Sequence, residues 1–323
     1  MRVERWSADE AVARTMSPDL RHQIGVANGV VGVYVDAANM AAEHSILVAQ
    51  RIAACGALTV ATSDQPAANS PWDLVIDDPS DAIQAMLAHP ATACVAAQLL
   101  RRPHPDRSAA RLAESLAYAT LQAGPDYRNW LESRGSRVRT DNTPRVALDD
   151  YGDTVRLTLT RGRLHNLLDR QMRDELAEAF ITIAADQQPR LVIWTAEGPT
   201  FCAGGDPAEF GSAPDPLQGH LVRTVADLAP LLDPLAERMR VEIDGPCVGA
   251  GIELAAICHS IVATPRSTFR LPEISMGLIP GAGGTVSIPL RIGRHRSLEW
   301  LLTGATLDAV TALGWGLIDE ISQ

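Results

Sequence analysis

The feature that most constrains the fold is a strand–helix–strand order in the second half of the chain. Apolar and polar residues alternate over Val155–Leu159, which predicts a strand, and apolar residues recur at helical spacing over Asn166–Ala185, which predicts a helix. The apolar run Leu191–Thr195 predicts a second, buried strand. Because two strands joined through a helix lie parallel, the segment predicts a parallel sheet covered by helices.

The composition provides material for two buried cores. The chain has 323 residues, of which 46% are hydrophobic, and a formal net charge of −11. At roughly 150 residues per domain this length suggests about two domains. The negative charge argues against nucleic acid and against an anionic membrane as partners. The 28 basic residues are all arginine, which excludes chemistry that needs a lysine, such as Schiff-base formation.

The first 140 residues have α/β character but contain no catalytic cluster. Strands are predicted at Val30–Asp36 and Leu58–Ala61, with a helix at Ala42–Ala54 between them. The polar segment Ser136–Arg145 contains a proline and few large apolar residues, so we interpret it as a linker. The predicted domains are therefore an N-terminal region over residues 1–140 and a core over residues 141–323.

Localisation is predicted from three features. The five cysteines show no metal-binding spacing, so we expect free thiols in a reducing compartment. The N-terminal residues contain charges and lack the apolar run of an export signal. The uncharged stretch Ala82–Leu100 is long enough for a membrane span, but its polar residues and Pro90 favour a helix, a turn and a strand. We therefore expect a cytoplasmic protein.

Two glycine-rich passages in the second half carry candidate chemistry. The loop Gly198–Asp206 directly follows the predicted strand at Leu191–Thr195. Further on, Gly249–Gly251 can open a helix and expose backbone N–H groups, with Glu253 in the first turn. A second carboxylate, Glu273, follows about twenty residues later beside another glycine-containing turn. Two acidic residues in apolar surroundings suggest paired acid–base catalysis.

These passages resemble the enoyl-CoA hydratase/isomerase (crotonase) family over about residues 150–320. The resemblance rests on four motifs in the family order, namely FxAGxD at 201–206, GxGxE-L-A at 249–255, PE-I-x-x-G-x-I-P-G-x-G-G at 272–284 and LTG…GLI at 302–318. It implies an α/β fold in which a crotonase-like spiral of ββα turns follows a smaller α/β N-terminal region. It also implies a lyase acting on acyl-CoA, as in fatty acid metabolism.

The resemblance implies a role for each matched residue. The backbone N–H groups of Ala203 and Ala250 correspond to the oxyanion hole, where loss of one donor costs about 2.7–4 kcal/mol of barrier. Glu253 corresponds to the base that activates water, and Glu273 to the acid that protonates the α-carbon. The implied substrate-binding residues are Ala203, Gly204, Gly205, Asp206, Gly249 and Ala250. No metal is implied, and no cofactor other than the CoA of the thioester substrate.

Retention of both glutamates favours hydration of a 2-enoyl-CoA, or the reverse dehydration. Two alternatives remain, namely another crotonase-type reaction, such as cofactor-independent oxygenation of an aryl-acetyl-CoA, and a non-catalytic acyl-CoA-binding subunit. The family usually continues past the last motif in a helical tail that covers the site and builds the trimer. We expect helices at Ser108–Gln122 and Pro125–Ser133 to cover that surface instead, in a homotrimer or dimer of trimers.

Overall fold

The computed structural model describes residues 1–62, 70–102, 104–134, 143–186, 188 and 190–322. The chain forms two compact units. The first unit combines Met1–Pro103 with Gly293–Gly304, and the second unit combines His104–Ile292 with Ala305–Gln323. All the candidate site residues predicted from the sequence lie in the second unit.

The first unit is built on a four-stranded parallel sheet with the strand order β1-β2-β3-β4. Its elements are β1 (Arg2–Trp6), α1 (Ala8–Thr15), α2 (Leu20–Gln23), β2 (Val30–Asp36), α3 (Ala42–Ala54), β3 (Leu58–Thr62), β4 (Leu74–Val75), α4 (Ser80–Ala88) and α5 (Pro90–Arg101). Side chains on both faces of β2 are buried, as expected of a parallel strand covered by helices on both sides.

The sequence predictions for the first unit are confirmed for β2 and α3 and partly wrong for Ala82–Leu100. That stretch forms two helices, α4 and α5, and contains no strand. Pro90 stands at the start of α5, where its missing N–H removes no helical hydrogen bond. In the part of the chain that the structure describes, no single helix could cross a membrane, and only the α4–α5 pair, bent by 113°, has the length and composition to do so.

The second unit contains a six-stranded sheet, order β13-β10-β8-β7-β6-β5, and a three-stranded sheet, order β12-β11-β9. Its elements are α6 (Arg107–Gln122), α7 (Pro125–Arg134), β5 (Val146–Asp150), β6 (Thr154–Leu159), α8 (Arg170–Ala185), β7 (Leu191–Ala196), α9 (Pro216–Val225), α10 (Ala229–Leu232), β8 (Met239–Ile243), β9 (Pro246–Val248), α11 (Ala250–Ala255), β10 (Ser260–Ala263), β11 (Thr268–Arg270), α12 (Gly284–Thr303), β12 (Leu307–Asp308), α13 (Ala309–Trp315) and β13 (Glu320–Ile321). Helix α12 is broken at Gly293, and its last part belongs to the first unit.

Successive ββα turns bring the two glycine-rich passages together. In one turn β8 joins the six-stranded sheet, β9 joins the three-stranded sheet and α11 follows. In the next turn β10 joins the six-stranded sheet, β11 joins the three-stranded sheet and α12 follows. The strands of the two turns pair in parallel, β8 with β10 and β9 with β11. The segments that follow β9 and β11 therefore emerge side by side, and they carry Glu253 and Glu273.

The predicted parallel pair is confirmed, whereas the predicted start of its helix is wrong. Strands β6 and β7 pair in parallel, and α8 connects them along the chain. Helix α8 begins at Arg170, and the Asp169 side chain caps it by accepting from the Met172 N–H at 2.9 Å. Asn166 has a left-handed backbone, with φ of 50°, and its side-chain amide donates to the Glu197 and Thr200 carbonyls. It therefore holds the loop after β7 instead of starting a helix.

Helices α6 and α7 belong to the second unit, although the sequence analysis assigned them to the region 1–140. The compact units thus divide near residue 103 and not at residue 140, while the functional division of the chain stays a prediction. Most of the predicted linker Ser136–Arg145 lies outside the described residues. Its last residue, Arg145, is buried and forms an ion pair with Asp169 at 3.1 Å.

Candidate active site

The loop Phe201–Asp206 packs directly against the segment that leads into α11. The Phe201 N–H donates to the Pro246 carbonyl at 3.0 Å, and the Val248 N–H donates to the Cys202 carbonyl at 2.8 Å. The backbones approach so closely that a Cβ on Gly251 would lie 2.7 Å from the Cβ of Cys202. The two glycine-rich passages found in the sequence therefore lie together in one site. Only glycine fits at residue 251, where the two backbones meet.

The predicted oxyanion donor Ala203 is already occupied. Its backbone N–H donates to the carbonyl of His165 at 3.0 Å. Two residues further on, the Gly205 N–H has no acceptor among the described residues. Gly204, between them, has a φ of +85°, and a Cβ there would lie 3.1 Å from the Val248 carbonyl oxygen. The Ala203 N–H is thus committed to His165, whereas the Gly205 N–H has no such acceptor in the part of the chain that the structure describes.

The second predicted donor, Ala250, lies at the start of a helix. It is the first residue of α11, after Gly249 as N-cap, so its N–H has no acceptor within the helix. The backbone at Gly249 has φ of 51° and ψ of −124°, a conformation that favours glycine. Ala250 itself is buried, so an oxygen bound to its N–H would be shielded from water.

Glu253 lies in α11 and is 2% exposed. Its Oε2 accepts from the N–H groups of Ala282 at 2.7 Å and Gly284 at 3.0 Å. Gly284 must lack a side chain, because a Cβ there would lie 2.5 Å from Cγ of Glu253. The turn before α12 therefore fixes the Glu253 carboxyl in one orientation.

Glu273 lies in a short 3-10 turn after β11 and is also buried. A Cβ on Gly249 would lie 2.7 Å from Oε1 of Glu273, so the carboxyl contacts the residue that precedes Ala250. Its Oε2 is fully buried and has no hydrogen-bond partner among the described residues. A buried polar atom without a partner is costly in a folded protein, and such atoms occur where a ligand completes the hydrogen bonding.

A third glutamate, Glu114, was missed by the sequence analysis. It comes from α6, which precedes the region of family resemblance, and it is 3% exposed. Its Oε1 accepts from the Gly283 N–H at 2.8 Å, and its Oε2 accepts from the N–H and hydroxyl of Thr285 at 2.8 and 2.6 Å. Glu253 and Glu114 thus bind alternate N–H groups of the turn at residues 282–285. Only its position on a buried helix face could have indicated Glu114 from the sequence.

The three carboxyls perturb one another. Burial, followed by the charges of Glu273 and Glu114, raises the pKa of Glu253. Burial and the charge of Glu114 likewise raise the pKa of Glu273. Burial raises the pKa of Glu114 to about 7, although hydrogen bonds from Thr285 and Gly283 oppose the shift. At neutral pH the three carboxyls therefore carry less negative charge than three exposed carboxyls would, and they titrate as a coupled set.

Asp206, predicted to bind substrate, is engaged within the protein. Its Oδ2 pairs with Arg161 at 2.9 Å and its Oδ1 accepts from the Ala208 N–H at 2.9 Å. Arg161 also pairs with Asp169 at 3.1 Å. This buried ion-pair network holds the end of the Phe201–Asp206 loop, so the side chain of Asp206 stabilises the site's shape.

A cavity of about 340 Å³ adjoins the turn that binds Glu253 and Glu114. Its walls come from α6 and α9, and its lining includes Leu254 and the backbone of Gly281–Gly283. Helix α7 packs on the loop beside the site, where Trp130 meets Phe210 edge to face at 5.4 Å. The expectation that α6 and α7 pack on the core is confirmed, while their role as a lid stays a prediction.

Cys202, which lies in the glycine-rich loop, is not suited to act as a nucleophile. Burial raises the pKa of the Cys202 thiol to about 11, so it is not a thiolate at neutral pH. In the described ranges no group of three or more His, Cys, Asp or Glu side chains is arranged to hold a metal ion. The site instead combines buried carboxyls with unpaired backbone N–H groups, an arrangement suited to proton transfer beside a developing oxyanion.

Comparisons with known proteins identify the family of the chain. The sequence profile of the family described as Enoyl-CoA hydratase/isomerase matches residues 151–323. An enoyl-CoA isomerase/hydratase of Mycosarcoma maydis is 32% identical over 179 residues, which cover 51% of this chain and 64% of that protein. The peroxisomal bifunctional enzyme of Danio rerio is 32% identical over 170 residues, covering 52% of this chain and 22% of that protein. The chain thus spans less than two thirds of these relatives.

Solved structures show the same fold. The crystal structure of an enoyl-CoA hydratase from Mycobacterium smegmatis matches with a TM-score of 0.51 at 32% identity, covering 55% of this chain and 70% of that one. The second unit therefore has the crotonase fold, as the resemblance implied, with an N-terminal region before it. The chain belongs to the enoyl-CoA hydratase/isomerase family.

Proposed function

We propose that the chain adds water to 2-enoyl-CoA thioesters, or removes it in the reverse reaction, and so acts as a lyase. The observation that carries the proposal is the pair of buried carboxyls, Glu253 and Glu273, beside the N–H of Ala250. Isomerisation of an enoyl thioester can proceed with one proton-transferring group, whereas hydration needs one group for water and one for the α-carbon. Two retained carboxyls therefore favour hydration.

The thioester carbonyl oxygen would be held by backbone N–H groups. Ala250 supplies one donor, and we assign the other to Gly205 because the Ala203 N–H is bound to His165. As the enolate forms, negative charge develops on this oxygen, and both hydrogen bonds strengthen in a site shielded from water. The main chain is rigid at both donors, so little reorganisation accompanies the reaction.

The two carboxyls divide the proton transfers. Burial and the charges of Glu273 and Glu114 raise the pKa of Glu253, and the N–H groups of Ala282 and Gly284 oppose that rise. Oε2 of Glu273 accepts no such hydrogen bond among the described residues, so we assign the negative charge of the pair to Glu253, which acts as the base. It takes a proton from water as the water oxygen bonds to the β-carbon and the electron pair moves to the thioester oxygen. Glu273, whose Oε2 has no internal donor or acceptor, then gives its proton to the α-carbon. One water is added in total, and the proton on Glu253 must return to Glu273 before the next turnover.

The proposal needs no cofactor beyond the CoA of the substrate. It also gives α6 and α7 a role as a wall of the acyl site, because α6 lines the cavity and α7 packs on the adjoining loop. We propose that these helices exclude water other than the reacting one.

A panel of 2-enoyl-CoA thioesters of increasing chain length tests the function. Mass spectrometry of the products should show the gain of one water for at least one member. Oxygen consumption with an aryl-acetyl-CoA, without hydration of any enoyl-CoA, would instead show the oxygenase alternative. Tight binding of CoA thioesters with no turnover of any kind would show a binding subunit, and either result would overturn the proposal.

A further inference from the structure

The cavity of about 340 Å³ holds an arginine that the proposed hydration does not use. Arg223 on α9 lines the cavity together with Ser115 of α6 and Gly283 of the turn before α12. The volume of the cavity is near the lower end of the range for small-molecule sites. The cavity therefore suits a short acyl group next to the carboxyl cluster.

The hydrogen bonds of Arg223 all go to uncharged groups, although the charge of Glu114 also acts on it. Its Nε donates to the Ser115 hydroxyl at 3.3 Å, its Nη1 to the Gln122 side chain at 3.1 Å and its Nη2 to the Ser115 carbonyl at 3.2 Å. The guanidinium lies over the ring of Tyr118, 4.3 Å from its centre. Burial lowers the pKa of Arg223, and arginine nevertheless stays charged in proteins. Two of its five N–H donors have no partner among the described residues.

The other two arginines of the cavity are already neutralised. Arg111 pairs with Asp233 at 2.8 Å and with Asp227 at 3.4 Å, and Arg173 pairs with Asp174 at 2.6 Å. Glu114 also lines the cavity, but both of its oxygens accept hydrogen bonds from the turn before α12. In the part of the chain described, Arg223 is therefore the cavity cation that lacks a carboxylate within ion-pair distance.

We propose that the cavity receives the acyl end of the thioester and that Arg223 binds a carboxylate there, so that the substrate is the mono-CoA ester of a short unsaturated dicarboxylic acid. Arg223 is half-buried. A partly desolvated cation is stabilised by an anion, and a guanidinium presents parallel N–H donors that match a carboxylate. This inference deepens the proposed function and rests on it for the reaction, but not for the binding.

Matched substrates and variants test the inference. Two 2-enoyl-CoA thioesters of equal chain length, one ending in a methyl group and one in a carboxylate, are compared by kcat/KM. The wild-type protein should prefer the carboxylate by about 10- to 100-fold, the range for a charged hydrogen-bonded contact. Arg223→Met should lose this preference while hydrating the methyl-ended ester within a few-fold of wild type.

The control is Arg156→Met, which removes an exposed arginine of β6 that does not line the cavity. It should keep the full preference. Loss of preference in the control would show that the preference depends on charges outside the cavity and would overturn the assignment to Arg223. An equal loss on both substrates in Arg223→Met would show a purely structural role and would likewise overturn it, as would a wild-type preference for the methyl-ended ester.

A binding measurement separates this inference from the proposed function. Saturated acyl-CoA esters with the same two ends are titrated calorimetrically into the wild-type protein and Arg223→Met. Tighter binding of the carboxylate-ended ester, lost in Arg223→Met, supports the inference even if no thioester is hydrated. Equal binding of both esters by the wild-type protein overturns it even if hydration is observed.

Discussion

Replacing Glu114 with glutamine should remove a pH dependence of stability. Burial raises the pKa of this carboxyl from 4.5 to about 7. A carboxyl whose pKa is higher in the folded than in the unfolded state stabilises the fold when protonated. Its contribution is therefore complete below pH 4.5 and is lost as the pH rises through 7. A shift of this size corresponds to roughly 3 kcal/mol of unfolding free energy.

Urea unfolding at pH 5 and at pH 8 measures this contribution. Glu114→Gln changes the hydrogen bonds that the protonated carboxyl makes with the turn at Gly283 and Thr285, and this difference gives a constant offset. In addition to that offset, wild type should lose up to roughly 3 kcal/mol of unfolding free energy relative to the variant between pH 5 and pH 8.

The matched control is Glu178→Gln, which removes an exposed carboxyl of α8. Its difference from wild type should be the same at both pH values. A pH-independent difference for Glu114→Gln as well would refute the claim that the buried carboxyl cluster resists ionisation.

Three further predictions address the site and its surroundings. Ala250→Pro should abolish turnover and Ala250→Gly should be nearly neutral, because proline removes the N–H and glycine keeps it. Circular dichroism must show that the proline variant is folded. A folded and active proline variant would refute the oxyanion role. Gly281→Ala should destabilise the protein by about 1–3 kcal/mol in thermal unfolding, since its Cβ would lie 2.6 Å from the Tyr118 ring; an unchanged midpoint would contradict the packing of α6. Light scattering should show trimers or multiples of three, consistent with the exposed apolar residues Leu217, Leu221 and Val225 of α9, and a monomer would contradict this.

Local sequence patterns were sufficient for the regular elements and for two of the carboxyls. The bounds of β2 and α3 follow from an apolar run and a helical repeat, each ended by a glycine or a polar residue. Glu253 and Glu273 are each placed by the turn or helix start in which they occur. Such signals span a few residues and survive in the tertiary structure.

The remaining parts depend on contacts between residues far apart in the sequence. Glu114 and Gly283 are separated by 169 positions, and no local pattern pairs a helix residue with a distant turn. The choice between the Ala203 and Gly205 donors depends on the left-handed turn at Gly204 and on the carbonyl of His165. The sequence could not reveal these details, because the backbone direction within a glycine-rich loop is set by the segments that pack against the loop.

The most direct test of the central claim follows the oxygen of water. A 2-enoyl-CoA is incubated in water labelled with oxygen-18, with the wild-type protein, Glu253→Gln, Glu273→Gln and the double variant. The account predicts label on the β-carbon with wild type and losses of about 10²–10⁴-fold in kcat for each single variant, with thioester affinity retained. The double variant should be little worse than either single one, because the carboxyls act as a unit. Full activity in either single variant would remove that residue from the mechanism, and no label with wild type would contradict hydration.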